Sequence, residues 1–163
     1  MRIKNSNRGS AVVEAALMMP WLAFLFVGVL DFGFYSYAAI CTQNAARAVA
    51  MSQVIGVASD ICTVARGEMQ FVAGMGGVTS CQTYPTAPTN AVPLSVCVAT
   101  ITNSGANPSN CSAATSCADC GLDNAATSVQ ATVQFQTVPL IPIPGILMGQ
   151  MTLTRTAEVR LVQ

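Results

Sequence analysis

The chain has 163 residues, no net charge at pH 7 and charged side chains at only 9% of its positions. This composition lacks a basic surplus for phosphate groups, so nucleic acid is excluded as a partner on electrostatic grounds. The chain also contains no histidine, and no carboxylate pair suits acid–base chemistry, so we predict no catalytic residues and no enzyme. Nothing in the composition implies a cofactor.

The chain opens with a basic leader, residues 1–9, whose basic residues are Arg2, Lys4 and Arg8. Residues 15–30 carry no charge, and Asp31 interrupts an apolar run that continues to about residue 40. About 20 apolar residues span a bilayer, so we predict a membrane-spanning segment over about 15–40. The basic leader predicts a cytoplasmic N-terminus, with the rest of the chain on the far side of the membrane.

The helical pattern continues beyond the apolar run. Residues 42–60 are rich in Ala and other good helix formers and contain no proline. We therefore predict one long helix over residues 10–58, relaxed or kinked at Pro20. A cleaved secretory signal ending near Ala38 and a lipoprotein signal at Cys41 are the alternatives. Acids within the apolar run disfavour the first, and Ile40 before the cysteine disfavours the second.

Residues 59–163 are predicted to form a small extracytoplasmic domain. Ser59 or Asp60 provides a capping signal for a second helix over about 60–74. This helix is expected to end at three glycines that lack the Lys-Ser/Thr pair of a phosphate-binding loop, namely Gly74, Gly76 and Gly77.

Three strands are predicted in the rest of the domain, over residues 93–102, 127–138 and 151–162. The second strand alternates apolar residues from Val129 to Phe135 with Gln and Thr, which is typical of a half-buried strand. Three prolines exclude the segment 138–149 from a central strand. We therefore predict an α+β fold: a long, pilin-like N-terminal transmembrane helix followed by a small disulfide-stapled domain with a short antiparallel sheet.

Six cysteines lie beyond the long helix, and an even set predicts disulfide bonds in an oxidising compartment; they are Cys62, Cys81, Cys97, Cys111, Cys117 and Cys120. Cys41 is left over. The sequence does not choose among the 15 pairings that six cysteines allow. The Cys117-Ala-Asp-Cys120 motif admits a redox or metal site as an alternative to a structural disulfide, although no second CxxC motif or histidine completes a zinc site. A calcium site at Asp119 and Asp123 is disfavoured because the EF-hand pattern is missing.

The first third of the chain resembles the TadE-like proteins of tight-adherence (Tad, Flp) pilus systems. The resemblance covers about 45 residues and rests on Arg8-Gly9, Val13-Glu14, Ala16-Leu17, Pro20, Asp31 and Gln43-Asn44-Ala45-Ala46-Arg47. A second similarity to the family's closing proline-rich segment and last strand lies in residues 138–160. The resemblance implies a pseudopilin or minor pilin that takes part in pilus assembly. Such a protein is expected in the bacterial inner membrane with its C-terminal domain in the periplasm, or in the extracellular pilus, where it would contribute to cell adhesion.

The leader resembles a type IV pilin signal, in which a prepilin peptidase cuts between a glycine and the next residue, here Gly9 and Ser10. Glu14 is then the fifth residue after that glycine. Processed members carry Tyr after the Glu, whereas this chain has Ala15, so cleavage and a retained leader both stay open. The implied partners are the peptidase, other pilin-like subunits, the inner-membrane pilus platform and membrane lipid.

Glu14 and Asp31 are the candidate assembly residues. A carboxylate near the hydrocarbon edge is costly unless it is paired, and the α-amine of Ser10 on a neighbouring subunit is a natural partner for Glu14. The alternative for Glu14 is an acid that only favours the helix N-terminus. Asp31 is either an intramembrane functional residue or an acid that reaches interfacial water. The alternative function for the whole chain is a membrane-tethered thiol–disulfide or metal-binding protein using Cys117 and Cys120.

Overall fold

The computed structural model describes residues 8–55, 60–102, 126–138 and 150–160. The described elements are helices α1 (Arg8–Ile55) and α2 (Ile61–Met69) and strands β1 (Gln82–Thr83), β2 (Leu94–Thr102), β3 (Ala126–Gln136) and β4 (Thr152–Arg160). The chain divides into two compact units, Met1–Tyr35 and Ser36–Gln163. The predicted α+β class is confirmed.

Helix α1 is a continuous helix of 48 residues that includes Pro20. At 1.5 Å per residue it is about 70 Å long. Its apolar stretch reaches a mean hydropathy of 2.0 and is not buried by the rest of the chain. By length and composition, this helix is able to cross a membrane.

The second half of α1 contributes one face to the core of the second unit. Buried side chains recur there at helical spacing and are mostly small: Ala38, Cys41, Thr42, Ala45, Ala46, Val49 and Ala50. The spacing of three and four residues places them on one side of the helix. Because these side chains are short, the helix backbone lies close to the groups that cover it.

The sheet has four strands in the order β1-β2-β3-β4. Strands β2 and β3 are antiparallel from Leu94↔Phe135 to Thr102↔Ala126, and β4 continues the antiparallel pattern on the other side of β3. Strand β1 is parallel to β2. The three predicted strands are therefore present, but the sheet is mixed rather than antiparallel, because the two-residue strand β1 adds a parallel edge.

Strand β3 follows the predicted alternation. Val129, Ala131, Val133 and Phe135 are at most 1% exposed, whereas the Gln and Thr residues between them are half-buried. Phe135 lies opposite Leu94, which is also fully buried. These residues form the centre of the sheet's contribution to the core.

Helix α2 is shorter than predicted. It begins after Asp60, whose carboxylate accepts a hydrogen bond from the Cys62 backbone N–H at 3.1 Å. It ends at Met69 rather than near residue 74. Beyond Met69 the backbone forms tight turns, with hydrogen bonds from the N–H groups of Val72 and Met75 to carbonyls three residues earlier. Two glycines then adopt positive φ angles, 93° at Gly74 and 81° at Gly77, a conformation that glycine adopts without steric cost.

Replacing Phe135 with Ala is expected to lower the free energy of unfolding by about 3–5 kcal/mol, because it removes a fully buried ring from the core. The matched control is Phe71→Ala, since Phe71 is 80% exposed and surface substitutions usually change stability by about 0.5 kcal/mol or less. Denaturant unfolding of the full chain in detergent measures both. Equal losses for the two variants would contradict the placement of Phe135.

Candidate functional site: the exposed faces of the long helix

The predicted processing residues and Glu14, one of the two predicted assembly residues, lie near the start of α1. Gly9 and Ser10 belong to its first turn, since the helix begins at Arg8. Glu14 follows about one turn later, and its side chain is exposed. Glu14 thus lies beyond the first turn, where the effect of the helix dipole on a carboxylate has fallen off. Its exposure leaves it accessible to a partner outside the chain.

Asp31 is in a different environment. It is 7% exposed, whereas its neighbours Leu30 and Phe32 are 51% and 74% exposed. The Asp31 side chain is thus largely withdrawn from solvent. Burying a carboxylate is costly unless its oxygens find partners. A role of Asp31 in assembly stays a prediction. Of the two predicted assembly residues, Glu14 is the one that is displayed.

The apolar part of α1 carries an open notch of about 450 Å³ lined by Trp21, Phe24, Leu25, Gly28, Val29 and Phe32. The residues are three and four positions apart, so they share one face of the helix. At its centre Gly28 has no side chain, and a Cβ placed there would meet no atom within 4 Å. Large side chains around a glycine form a surface into which a side chain of another helix can fit.

The second half of α1 has an exposed stripe opposite its buried face. We call it the outer stripe; it consists of Tyr37, Ile40, Asn44, Arg47 and Met51, all of which are exposed. The spacing alternates between three and four residues, which is the pattern of a seam between two helices. Ile40 is 60% exposed and Met51 is 53% exposed, so apolar side chains flank the polar pair.

The residues of the Gln-Asn-Ala-Ala-Arg motif lie on both the buried and the exposed face of the helix. Ala45 and Ala46 are fully buried, whereas Asn44 and Arg47 belong to the outer stripe. The outer stripe was not predicted from the sequence. The intervals of three and four residues between its members could have indicated it. Because the segment is rich in alanine, however, hydrophobicity does not distinguish its exposed face from its buried face.

The cysteines of the second unit are partly paired. Cys62 and Cys81 form a disulfide bond, and Cys97 is disulfide-bonded as well. Cys41 is a free thiol that is buried. Three other predicted members of the framework, Cys111, Cys117 and Cys120, lie outside the described residues, as do Asp119 and Asp123. The redox and metal interpretations of the CxxC motif therefore stay predictions, and the described ranges contain no group of three or more metal-binding side chains.

The N-terminal region of the chain matches a known protein family. Residues 9–51 match the model of the family described as TadE-like protein. These residues form a TadE-like segment. The resemblance predicted from the motifs is thus confirmed over this range. No curated protein and no solved structure matches the chain significantly.

The TadE-like segment covers most of α1, which runs from Arg8 to Ile55. It includes Glu14, the apolar notch and the outer stripe. Beyond it, α2 and the four strands lie outside the match. The similarity therefore concerns the long helix rather than the sheet.

A photo-reactive benzoylphenylalanine at Met51 is expected to form a cross-link to a second polypeptide in native membranes, because Met51 lies on an exposed, seam-like helix face. The same residue at Phe71, which is 80% exposed but lies outside α1, is the matched control. Denaturing gel electrophoresis and mass spectrometry of the adducts measure both. Equal cross-linking at the two positions would mean that the outer stripe has no preference for a partner.

Proposed function

We propose that this chain is a membrane-anchored pseudopilin or minor pilin that takes part in the assembly of a Tad (Flp) pilus. The observation that carries the proposal is the coincidence of the TadE-like segment, residues 9–51, with one long helix whose outward faces are exposed. A helix of this kind is suited to packing against similar helices. Residues 59–163 would then be the periplasmic domain that the helix carries.

The proposed mechanism is lateral packing of apolar helices from several subunits. Between membrane helices, close contact of side chains and interhelical hydrogen bonds provide the attraction, since lipid is as apolar as the helices themselves. The notch at Gly28 offers such a contact within the bilayer. The outer stripe offers a second one beyond it, where Asn44 and Arg47 add polar contacts that favour one register.

Glu14 would set the position of the helix relative to its neighbour. An ionised carboxylate in the hydrocarbon region costs several kcal/mol unless it is paired. Cleavage after Gly9 would create an α-amine at Ser10, and that amine on a neighbouring subunit would neutralise the Glu14 carboxylate. Because pairing is favourable in one relative position of the two helices, it would fix the stagger between subunits. The prepilin peptidase and the inner-membrane platform are the further partners that this proposal requires.

The first test is the intact mass and N-terminal sequence of the protein from native membranes. We expect a chain that starts at Ser10, because the Gly9–Ser10 junction precedes Glu14 at the spacing of a pilin signal. A chain that starts at Met1 would favour an anchored accessory protein and would remove the amine partner of Glu14. A start near Ala39 would instead support a cleaved secretory signal.

The second test is Glu14→Gln, which removes the charge and keeps the shape of the side chain. We expect surface pili to fall at least about tenfold, because every variant subunit would lose its charged pairing. Glu68→Gln is the matched control, because Glu68 is an exposed acid on α2, outside the TadE-like segment. Immunoblots of membranes and counts of filaments by electron microscopy measure the outcome. Normal piliation of the Glu14 variant at normal protein level would remove the register role.

A further inference from the structure

A cavity of about 400 Å³ lies between α2 and the segment that follows it, lined by Thr63, Arg66, Gly67, Gln70, Met75, Gly76, Gly77, Val78 and Thr79. We call it the Arg66 cavity. All of these residues lie between Cys62 and Cys81, which are joined by a disulfide bond. The cavity is therefore formed within one covalently closed loop.

One face of α2 supplies a wall of the cavity. Thr63, Arg66 and Gln70 are three and four residues apart, so they share that face. The other face carries Ile61, Ala65 and Met69, which are buried in the core. Core packing of α2 thus directs its polar face towards the returning segment.

Arg66 is held in position across the cavity. Its Nη1 atom donates a hydrogen bond to the Thr79 backbone carbonyl at 3.3 Å, and its side chain is half-buried. A guanidinium group has five N–H donors, so this bond leaves donors for a ligand. The hydroxyl and amide groups of Thr63, Thr79 and Gln70 lie along the same lining.

The charge of Arg66 is not matched by an acid in the described lining of the cavity. Asp60 is the nearest acid along the chain on the N-terminal side, and it accepts hydrogen bonds from the Cys62 backbone N–H at 3.1 Å and the Thr63 hydroxyl at 3.2 Å. Glu68 is two residues beyond Arg66 and therefore points about 200° away around the helix. An anionic group in the cavity would thus meet Arg66 as its charged contact.

The loop between Cys62 and Cys81 is preorganised for binding. The disulfide closes its ends, Met75 is 5% exposed beneath the surface, and Gly77 adopts a positive φ of 81° that turns the chain. A preformed site loses less conformational entropy when a ligand binds. Its volume falls within the range of small-molecule sites, about 300–1,000 Å³.

We propose that the Arg66 cavity binds an acidic sugar. The guanidinium group of Arg66 would hold the carboxylate through charge-assisted hydrogen bonds, and Thr63, Gln70 and Thr79 would contact the ring hydroxyls. The hydroxyl and amide groups of this lining both donate and accept hydrogen bonds, as sugar hydroxyls do. The inference is independent of the proposed role of α1 in assembly, because no residue of the cavity belongs to the TadE-like segment.

The test is ligand-observed NMR and calorimetry on the full chain in detergent, with the Cys62–Cys81 disulfide intact. Glucuronate and galacturonate are expected to bind in the millimolar range. Glucose and galactose, which have the same ring shapes without the carboxylate, are expected to bind at least about tenfold more weakly. Such a difference corresponds to the loss of one charged contact.

Arg66→Gln is expected to abolish the preference for the sugar acids over the neutral sugars. Arg66→Lys is expected to weaken binding of the acids several-fold, since a lysine ammonium lacks the planar, bidentate donor geometry of a guanidinium group. Arg160→Gln is the matched control, because Arg160 is an exposed cation on β4 and its loss leaves the cavity unchanged. A non-reducing mass measurement shows that each variant retains the disulfide.

Three outcomes would overturn the proposal. Neutral sugars that bind as tightly as their acids would remove the role of the carboxylate. Wild-type binding by both Arg66 variants would place the site elsewhere. An N-acetylated tripeptide with a free C-terminal carboxylate that binds more tightly than either acid would assign the cavity to peptide termini instead of sugars.

Discussion

The structure depends on one long helix, Arg8–Ile55. The apolar side chains of its two halves must be covered in two different ways. Along its first half, apolar side chains point outward on nearly all sides and the chain itself does not bury them, so only lipid or other apolar helices can cover them. Along its second half, small residues such as Ala45 and Ala46 are fully buried within the second unit. Covering one face there leaves the opposite face, with Asn44 and Arg47, exposed.

The second unit maintains its fold with few large side chains. Phe135, Met69 and Leu94 are the largest of the fully buried residues that the structure describes. The outer faces of β3 and β4 are joined instead by polar contacts, such as the bond from Gln134 Nε2 to Thr154 Oγ1 at 3.1 Å. A core this thin gains from covalent closure. The Cys62–Cys81 bond joins cysteines that are 19 positions apart, and closing a loop of that size stabilises a fold by roughly 3 kcal/mol through loop entropy.

Two surfaces of different chemistry follow from this arrangement. The faces of α1 are long, mostly apolar and periodic, which suits contact with other helices. The Arg66 cavity is small, is lined by polar as well as apolar groups and lies within a disulfide-closed loop, which suits a small charged ligand. Because the two surfaces lie on different elements, the proposed assembly through α1 would leave α2 and its loop available.

The sequence by itself determined the features that depend on local periodicity. The length and apolar character of α1, the Asp60 cap, the alternation of β3 and the motifs around Glu14 are repeats or short patterns, so neighbouring residues suffice to predict them. Tertiary structure decided the rest, including the pairing of Cys62 with Cys81, the parallel strand β1 and the burial of Asp31. The disulfide and the β1–β2 pairing join groups that are separated along the chain, and no local pattern encodes such contacts.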